Sequence, residues 1–187
     1  MSQLIDRYLL YRLKVKKDPE AFAKIYDNYV SSIYRFAILK LPKQEDAQDI
    51  TAEVFTKLWQ FLQQPKPVTN IRALLYRICR NQIADFYRNS DKTTSLDSVT
   101  EQAEFASTLL DDVGRGKEIM EARSEVSLIL KQLEMLKEDY RDVLALRLID
   151  QLSFSDIGIV LGKAPGNVRV IYHRGMKALK AMKGFET

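Results

Sequence analysis

The first 113 residues of this 187-residue chain contain no glycine, and helix signals follow one another through them with short breaks. Asp18-Pro19-Glu20 has the form of a helix start, with a capping carboxylate, a first-turn proline and an acidic residue favoured by the helix dipole. Phe22, Ile25, Tyr26, Tyr29, Ile33 and Phe36 then recur at helical spacing up to a break before Pro42. A second helix is expected from about Glu45 to Gln63, with Ala47, Ile50, Val54, Leu58 and Leu62 inward and Pro65 and Pro67 beyond its end. A third starts near Thr69 or Asn70 and reaches about Asn89, carrying Ile71, Leu75, Ile78 and Phe86. Periodicity is lost over residues 91–123, which gather Ser, Thr, Asp and Glu. It returns with Val126, Ile129, Leu130, Leu133, Tyr140, Val143, Leu144 and Leu148. The expected fold class is all-α: two small helical domains, residues 1–90 and 124–187, joined by a linker over 91–123.

Charge follows the same division. Residues 1–90 hold 15 basic and 9 acidic groups (+6), residues 91–123 hold 4 and 8 (−4), and residues 124–187 hold 10 and 8 (+2). Two basic lobes point to a polyanionic partner, and the acidic strap to a different one. Cys79 is the sole cysteine, so an internal disulfide is excluded, and its apolar helical neighbours make it inert packing. No apolar run approaches the roughly 20 residues that span a bilayer. Met1-Ser-Gln-Leu-Ile-Asp6 lacks the basic start and apolar core of a signal peptide, so a cytoplasmic location is expected. A glycine-rich phosphate loop, a His/Cys metal spacing and a nucleophile elbow are all missing, so neither a cofactor nor a catalytic centre is expected.

Residues 152–174 form the most specific pattern. Leu152-Ser-Phe-Ser-Asp-Ile-Gly-Ile-Val-Leu-Gly162 reads as a capped helix ending at a glycine turn. Ser153 and Asp156 have capping-box spacing; Ile157, Val160 and Leu161 share a face; Gly162 suits the left-handed position. Pro165 then opens a second helix, in which Val168, Tyr172, Gly175 and Leu179 face inward. Asn167, Arg169, Val170, His173 and Arg174 are left outward, with Lys163 just before the helix. Amide and guanidinium groups along an exposed helix suit the major groove, where Arg pairs with guanine and Asn with adenine. This is the layout of a DNA-reading helix-turn-helix.

Two separated signatures then coincide. Asp46-Ala-Gln-Asp-Ile-Thr-Ala-Glu-Val-Phe-Thr-Lys-Leu-Trp59 with Ile71-Arg-Ala-Leu-Leu-Tyr-Arg-Ile-Cys-Arg-Asn-Gln-Ile-Ala-Asp-Phe-Tyr-Arg88 resembles region 2 of bacterial RNA polymerase sigma factors. Leu136 to Leu179, including Tyr140-Arg-Asp-Val-Leu-Ala-Leu-Arg147, resembles region 4. With only a linker between them, the chain resembles the extracytoplasmic-function (ECF) group of the sigma-70 family. The resemblance implies a non-enzymatic initiation factor whose partners are RNA polymerase core (the β′ coiled coil and the β subunit), promoter DNA and a cognate anti-sigma factor.

It also implies roles for particular residues. Asp46, Asp49 and Glu53 lie off the apolar stripe of their helix, and the resemblance implies that they dock on the β′ coiled coil; on residue types alone the preferred reading is a solvated face that stabilises the helix N-terminus. Arg72, Tyr76, Arg77, Arg80, Asn81 and Arg88 would recognise and melt the −10 element, arginines holding phosphates and the aromatic stacking on an unpaired base. The plainer alternative is a solvated basic face with Tyr76 in the core. The loop Gln64-Pro-Lys-Pro-Val-Thr-Asn70 would wall the pocket for that base. Asp85 would repel phosphate there and is expected to bond a neighbouring arginine or a base amine. Lys163, Asn167, Arg169, Val170, His173 and Arg174 would read the −35 element. Trp59 is expected in the core. One departure from the family stands out: Ala164 replaces the Ser or Thr common before the recognition helix, removing a cap worth about 1 kcal/mol. Two rival readings are an autonomous, dimeric helix-turn-helix regulator and a helical adaptor. The first argues poorly with a basic-aromatic third helix, the second with an Arg/Asn recognition face.

Overall fold

The computed structural model describes residues 3–90 and 132–182 apart from 134, and every described residue in regular structure is helical. The acidic linker and the apolar positions Val126, Ile129 and Leu130 lie outside the described residues. Along the chain the described helices fall into two groups.

The first group holds α1 (Gln3–Lys14), α2 (Pro19–Ile38), α3 (Gln44–Gln63) and α4 (Ile71–Ser90). α2 lies against the other three, and α3 against α4. The caps are those the sequence announces. Asp18 accepts from the Glu20 amide at 3.0 Å, and Asn70 Oδ1 accepts from the Ala73 amide at 2.9 Å. The stripes Ile25/Ile33/Phe36, Val54/Leu58 and Ile71/Leu75 are fully or almost fully buried. Each such side chain contributes roughly 1.5–3 kcal/mol relative to exposure.

α1 has no counterpart in the sequence reading. Asp6, Leu9, Leu10 and Leu13 face the group's interior. Leu4, Tyr8, Tyr11 and Val15 recur at i, i+4, i+7 and i+11 and are exposed on the opposite side. Apolar residues on both faces blur the amphipathic signal, which is why periodicity alone passes over this helix. The Tyr29 hydroxyl, buried in α2, donates to Asp6 Oδ2 at 2.6 Å and ties α1 down; burial first, then this bond, raises the tyrosine's pKa. Arg12 donates to Asp18 across the α1–α2 turn.

The second group holds α5 (Glu138–Leu144), a π-type turn over Ala145–Ile149, α6 (Phe154–Leu161) and α7 (Pro165–Ala181). α5 packs on α7, where Gly175 makes the close approach possible: a Cβ there would lie 3.2 Å from Tyr140 Cβ. The wide turn corrects one expectation. An unbroken α-helix through Leu148 would bury that residue, but the turn shifts the phase, so Leu146 is buried and Leu148 is 47% exposed. Gln151 closes the segment with φ of +54°, and the Leu152 amide reaches back to the Leu146 carbonyl at 2.9 Å.

Candidate nucleic-acid interface

In the helix-turn-helix, Ser153 Oγ accepts from the Asp156 amide at 3.0 Å and donates to the Asp156 carboxylate at 2.7 Å. Gly162 has φ of +65°, and the Lys163 amide closes on the Gly158 carbonyl at 2.9 Å. Gly158, in mid-helix, is needed for a different reason: a Cβ there would sit 2.6 Å from the Lys163 carbonyl oxygen. Ala164 makes no side-chain cap, and Pro165 opens α7 in its place. Val168, Gly175 and Leu179 are buried, which leaves Asn167, Arg169, Val170, His173 and Arg174 exposed together, with Lys177 and Lys180 continuing toward the C-terminus. Lys163 is half-buried and pairs with Asp139 on α5 at 3.3 Å.

Beside that face lies a cluster the sequence pattern does not mark. The Phe154 ring, at the start of α6, has the Arg147 guanidinium 4.8 Å from its centroid and that of Arg169 at 5.7 Å. Tyr172 meets the same ring edge-on at 5.5 Å. Residues 147, 154 and 169 belong to three elements, so no helical or strand period joins them.

On α4 the structure divides the expected residues. Arg77, Asn81 and Arg88 fall on one exposed stripe with Ala84, while Arg72 and Arg80 are half-buried at its flanks. Tyr76 corrects the expectation: it is 0% exposed, on the core side of α4, with its ring edge-to-face against Phe36 at 5.3 Å. A buried ring held there is not available to stack on an unpaired base. Asp85 bonds an arginine, as expected, with Arg88 at 2.6 Å. The loop before α4 is held from α1, where Lys14 Nζ donates to the Gln64 and Lys66 carbonyls.

On α3, Asp49 and Glu53 are exposed and Asp46 is half-buried. Glu53 pairs with Lys57 at 3.1 Å, and Lys57 also bonds the buried amide of Gln82 on α4. Trp59 is not a core residue: it is 39% exposed, with its ring edge-on to Phe22 at 4.9 Å. Cys79 is buried. No grouping of His, Cys, Asp or Glu fit to hold a metal occurs among the described residues, and no described helix is long and apolar enough to cross a membrane.

Comparison with known proteins meets this geometry at both ends. Residues 25–93 match the model for sigma-70 region 2, and residues 127–179 match that for sigma-70 region 4. The ECF RNA polymerase sigma factor SigW of Bacillus subtilis is 30% identical over 171 residues, spanning 89% of this chain and 91% of that one. The ECF RNA polymerase sigma-E factor of Escherichia coli is 23% identical over 181 residues, 95% of this chain and 94% of that one. The fold is shared with CnrH, solved in complex with the cytosolic domain of CnrY, at a TM-score of 0.66 and 20% identity over 95% of this chain and 96% of that one. It is shared also with RpoE of Bartonella quintana, solved with the anti-sigma factor NepR, at 0.61 and 19% over 85% and 94%. With regions 2 and 4 both matched and a relative 30% identical along nearly its whole length, this chain belongs to the ECF group of the sigma-70 family and is a transcription initiation factor.

Proposed function

We propose that the protein binds RNA polymerase core through the Asp46/Asp49/Glu53 face of α3 and directs it to promoters whose −10 and −35 elements it contacts itself. In this reading residues 1–90 dock on core and open the −10 element, residues 124–187 read the −35 duplex, and the linker spans between them. The observation that carries it is the undivided exposed face of α7, where Asn167, Arg169, Val170, His173 and Arg174 protrude without forming part of the core. A solvated helix face in a merely structural domain has no need of an amide and two guanidiniums aligned in this way.

The α4 stripe of Arg77, Asn81 and Arg88 supports −10 binding by phosphate contacts and a base-edge contact. Arg72 and Arg80 extend the positive edge. Base stacking, if it is part of melting, falls to a group other than Tyr76. On α3, a cation of the β′ coiled coil meets Asp49 directly but competes with Lys57 for Glu53. The protein acts in the cytoplasm, where polymerase and chromosome are. A cognate anti-sigma factor is proposed as a further partner, on the precedent of CnrH and RpoE, each solved with a bound protein.

The deciding test is alanine at Asn167 or Arg174. Either should weaken holoenzyme binding by about 1–3 kcal/mol and relax preference at one or two base pairs, whereas Lys177→Ala should weaken all duplexes alike and reduce the salt dependence. Titration on promoter and scrambled duplexes measures both. Equal losses on the two duplexes for Asn167→Ala would refute base reading.

A further inference from the structure

We infer that Phe154 is a positioning residue for promoter reading: its ring is a shelf that holds the Arg169 guanidinium in place on the recognition helix. The inference rests on the proposed role of α7 in reading the −35 duplex.

Arg169 is exposed on the recognition helix, one helical turn after Pro165. Its guanidinium lies 5.7 Å from the centroid of Phe154 on α6. The ring itself has two further neighbours. Tyr172, one turn further along α7, meets it edge-on at 5.5 Å, and Arg147 stands 4.8 Å from its centroid. Arg147 is tethered in turn, because its Nη1 donates to the Leu152 carbonyl at 2.8 Å. A half-buried ring with one cation anchored beside it and a second cation resting on it has its negative π-face oriented before any DNA arrives.

The consequence for recognition is preorganisation. A free arginine on an exposed helix must surrender several rotamers to present two parallel N–H groups to a guanine edge. One already laid against an aromatic ring surrenders fewer. The guanidinium is planar and delocalised, so it can lie against the ring and still point its fork outward. Lysine cannot do both. Phe154 therefore influences a base it does not itself touch.

The test uses holoenzyme reconstituted with core polymerase and a library of promoter duplexes randomised through the −35 element. Phe154→Leu keeps an apolar side chain and removes the ring. It should reduce preference at a single base-pair position about two- to fivefold, the range expected for an exposed cation–π contact, and leave the other positions unchanged. Phe154→Trp keeps a π-face and should retain the preference. In an Arg169→Ala background, Phe154→Leu should cause no further change at that position. The inference is overturned if Phe154→Leu leaves the preference intact, or if it lowers binding evenly at every position together with thermal stability, which is the behaviour of a core residue. If leucine unfolds the domain, Phe154→Met carries the same comparison, and a domain that tolerates neither assigns the ring to the core. If Arg169→Ala itself changes no position, the role of Arg169 in reading DNA has failed, and the positioning role goes with it. A change with Arg169→Ala but none with Phe154→Leu removes only the latter.

Discussion

Gly158 and Asp18 show how much of this molecule turns on single atoms. An alanine at 158 would place its Cβ 2.6 Å from a backbone oxygen of the turn, which cannot rotate away as a side chain can. Gly158→Ala should therefore destabilise the helix-turn-helix by about 1–3 kcal/mol although alanine is the better helix former, and a thermal melt of the variant checks this. The contrast is Gly166, where a Cβ meets nothing within 4 Å and alanine should be tolerated. Asp18 makes a pH argument. Its bond from Arg12, followed by the amides at the start of α2, holds its carboxyl below the ordinary value of 3.8. A depressed carboxyl pKa contributes stability that is present above the ordinary value and lost as pH falls through the lowered one. Unfolding profiles between neutral and strongly acidic pH should show part of the acid sensitivity vanish in Asp18→Asn, which still caps the helix but no longer titrates. An unchanged profile would remove Asp18 from the account. Tyr76 belongs to this scale too. Its spacing beside Arg77 and Arg80 suggests a stacking platform, with the core as the plainer alternative, and its burial against Phe36 places it in the core.

At the scale of the element, α3 carries two faces with separable purposes. Ala47, Val54 and Leu58 are fully buried, while Asp49 and Glu53 lie off that stripe in solvent. Reversing both carboxylates to lysine should abolish capture of core polymerase and leave the circular dichroism spectrum unchanged. The stability change should stay near 0.3–1 kcal/mol, from a lost helix-end interaction and the surface pair with Lys57. Undiminished capture by a folded double variant returns these residues to a solvated face. α7 shows the opposite economy. It starts without a side-chain cap at Ala164 and depends on Pro165 and on packing against α5, with Gly175 at the closest point. The element boundaries from α2 to α4 were legible because Asp18, Pro19 and Asn70 act locally, within a turn of where they stand. α1 was not, because apolar residues on both of its faces blur its period, and the π-type turn was not, because it shifts the phase of a 3.6-residue pattern.

For the whole molecule, the proposed function makes affinity a property of linkage. In that reading each helical group offers a modest basic surface, and residues 91–123 connect the two. Bound together on core, the two gain effective concentration without any new contact. The free protein should therefore bind promoter duplex weakly, and addition of core should confer specific binding; gel-shift titrations with and without core compare the two. Nanomolar specific binding by the free chain would instead favour an autonomous regulator.

What the sequence by itself determined is whatever depends on neighbours within a turn or two: the helical class, the caps, the Gly162 turn, the outward residues of α7, and the pair of region signatures that give the family. Tertiary structure decided the rest. Trp59 lies at the surface, Leu148 is turned out by a wide turn, Tyr76 is buried, and Phe154 gathers two arginines from separate elements. The physical reason is the range of the interactions. Capping and periodicity are set by residues adjacent along the chain, whereas burial of a particular ring depends on which distant surface it meets, and no spacing encodes that meeting.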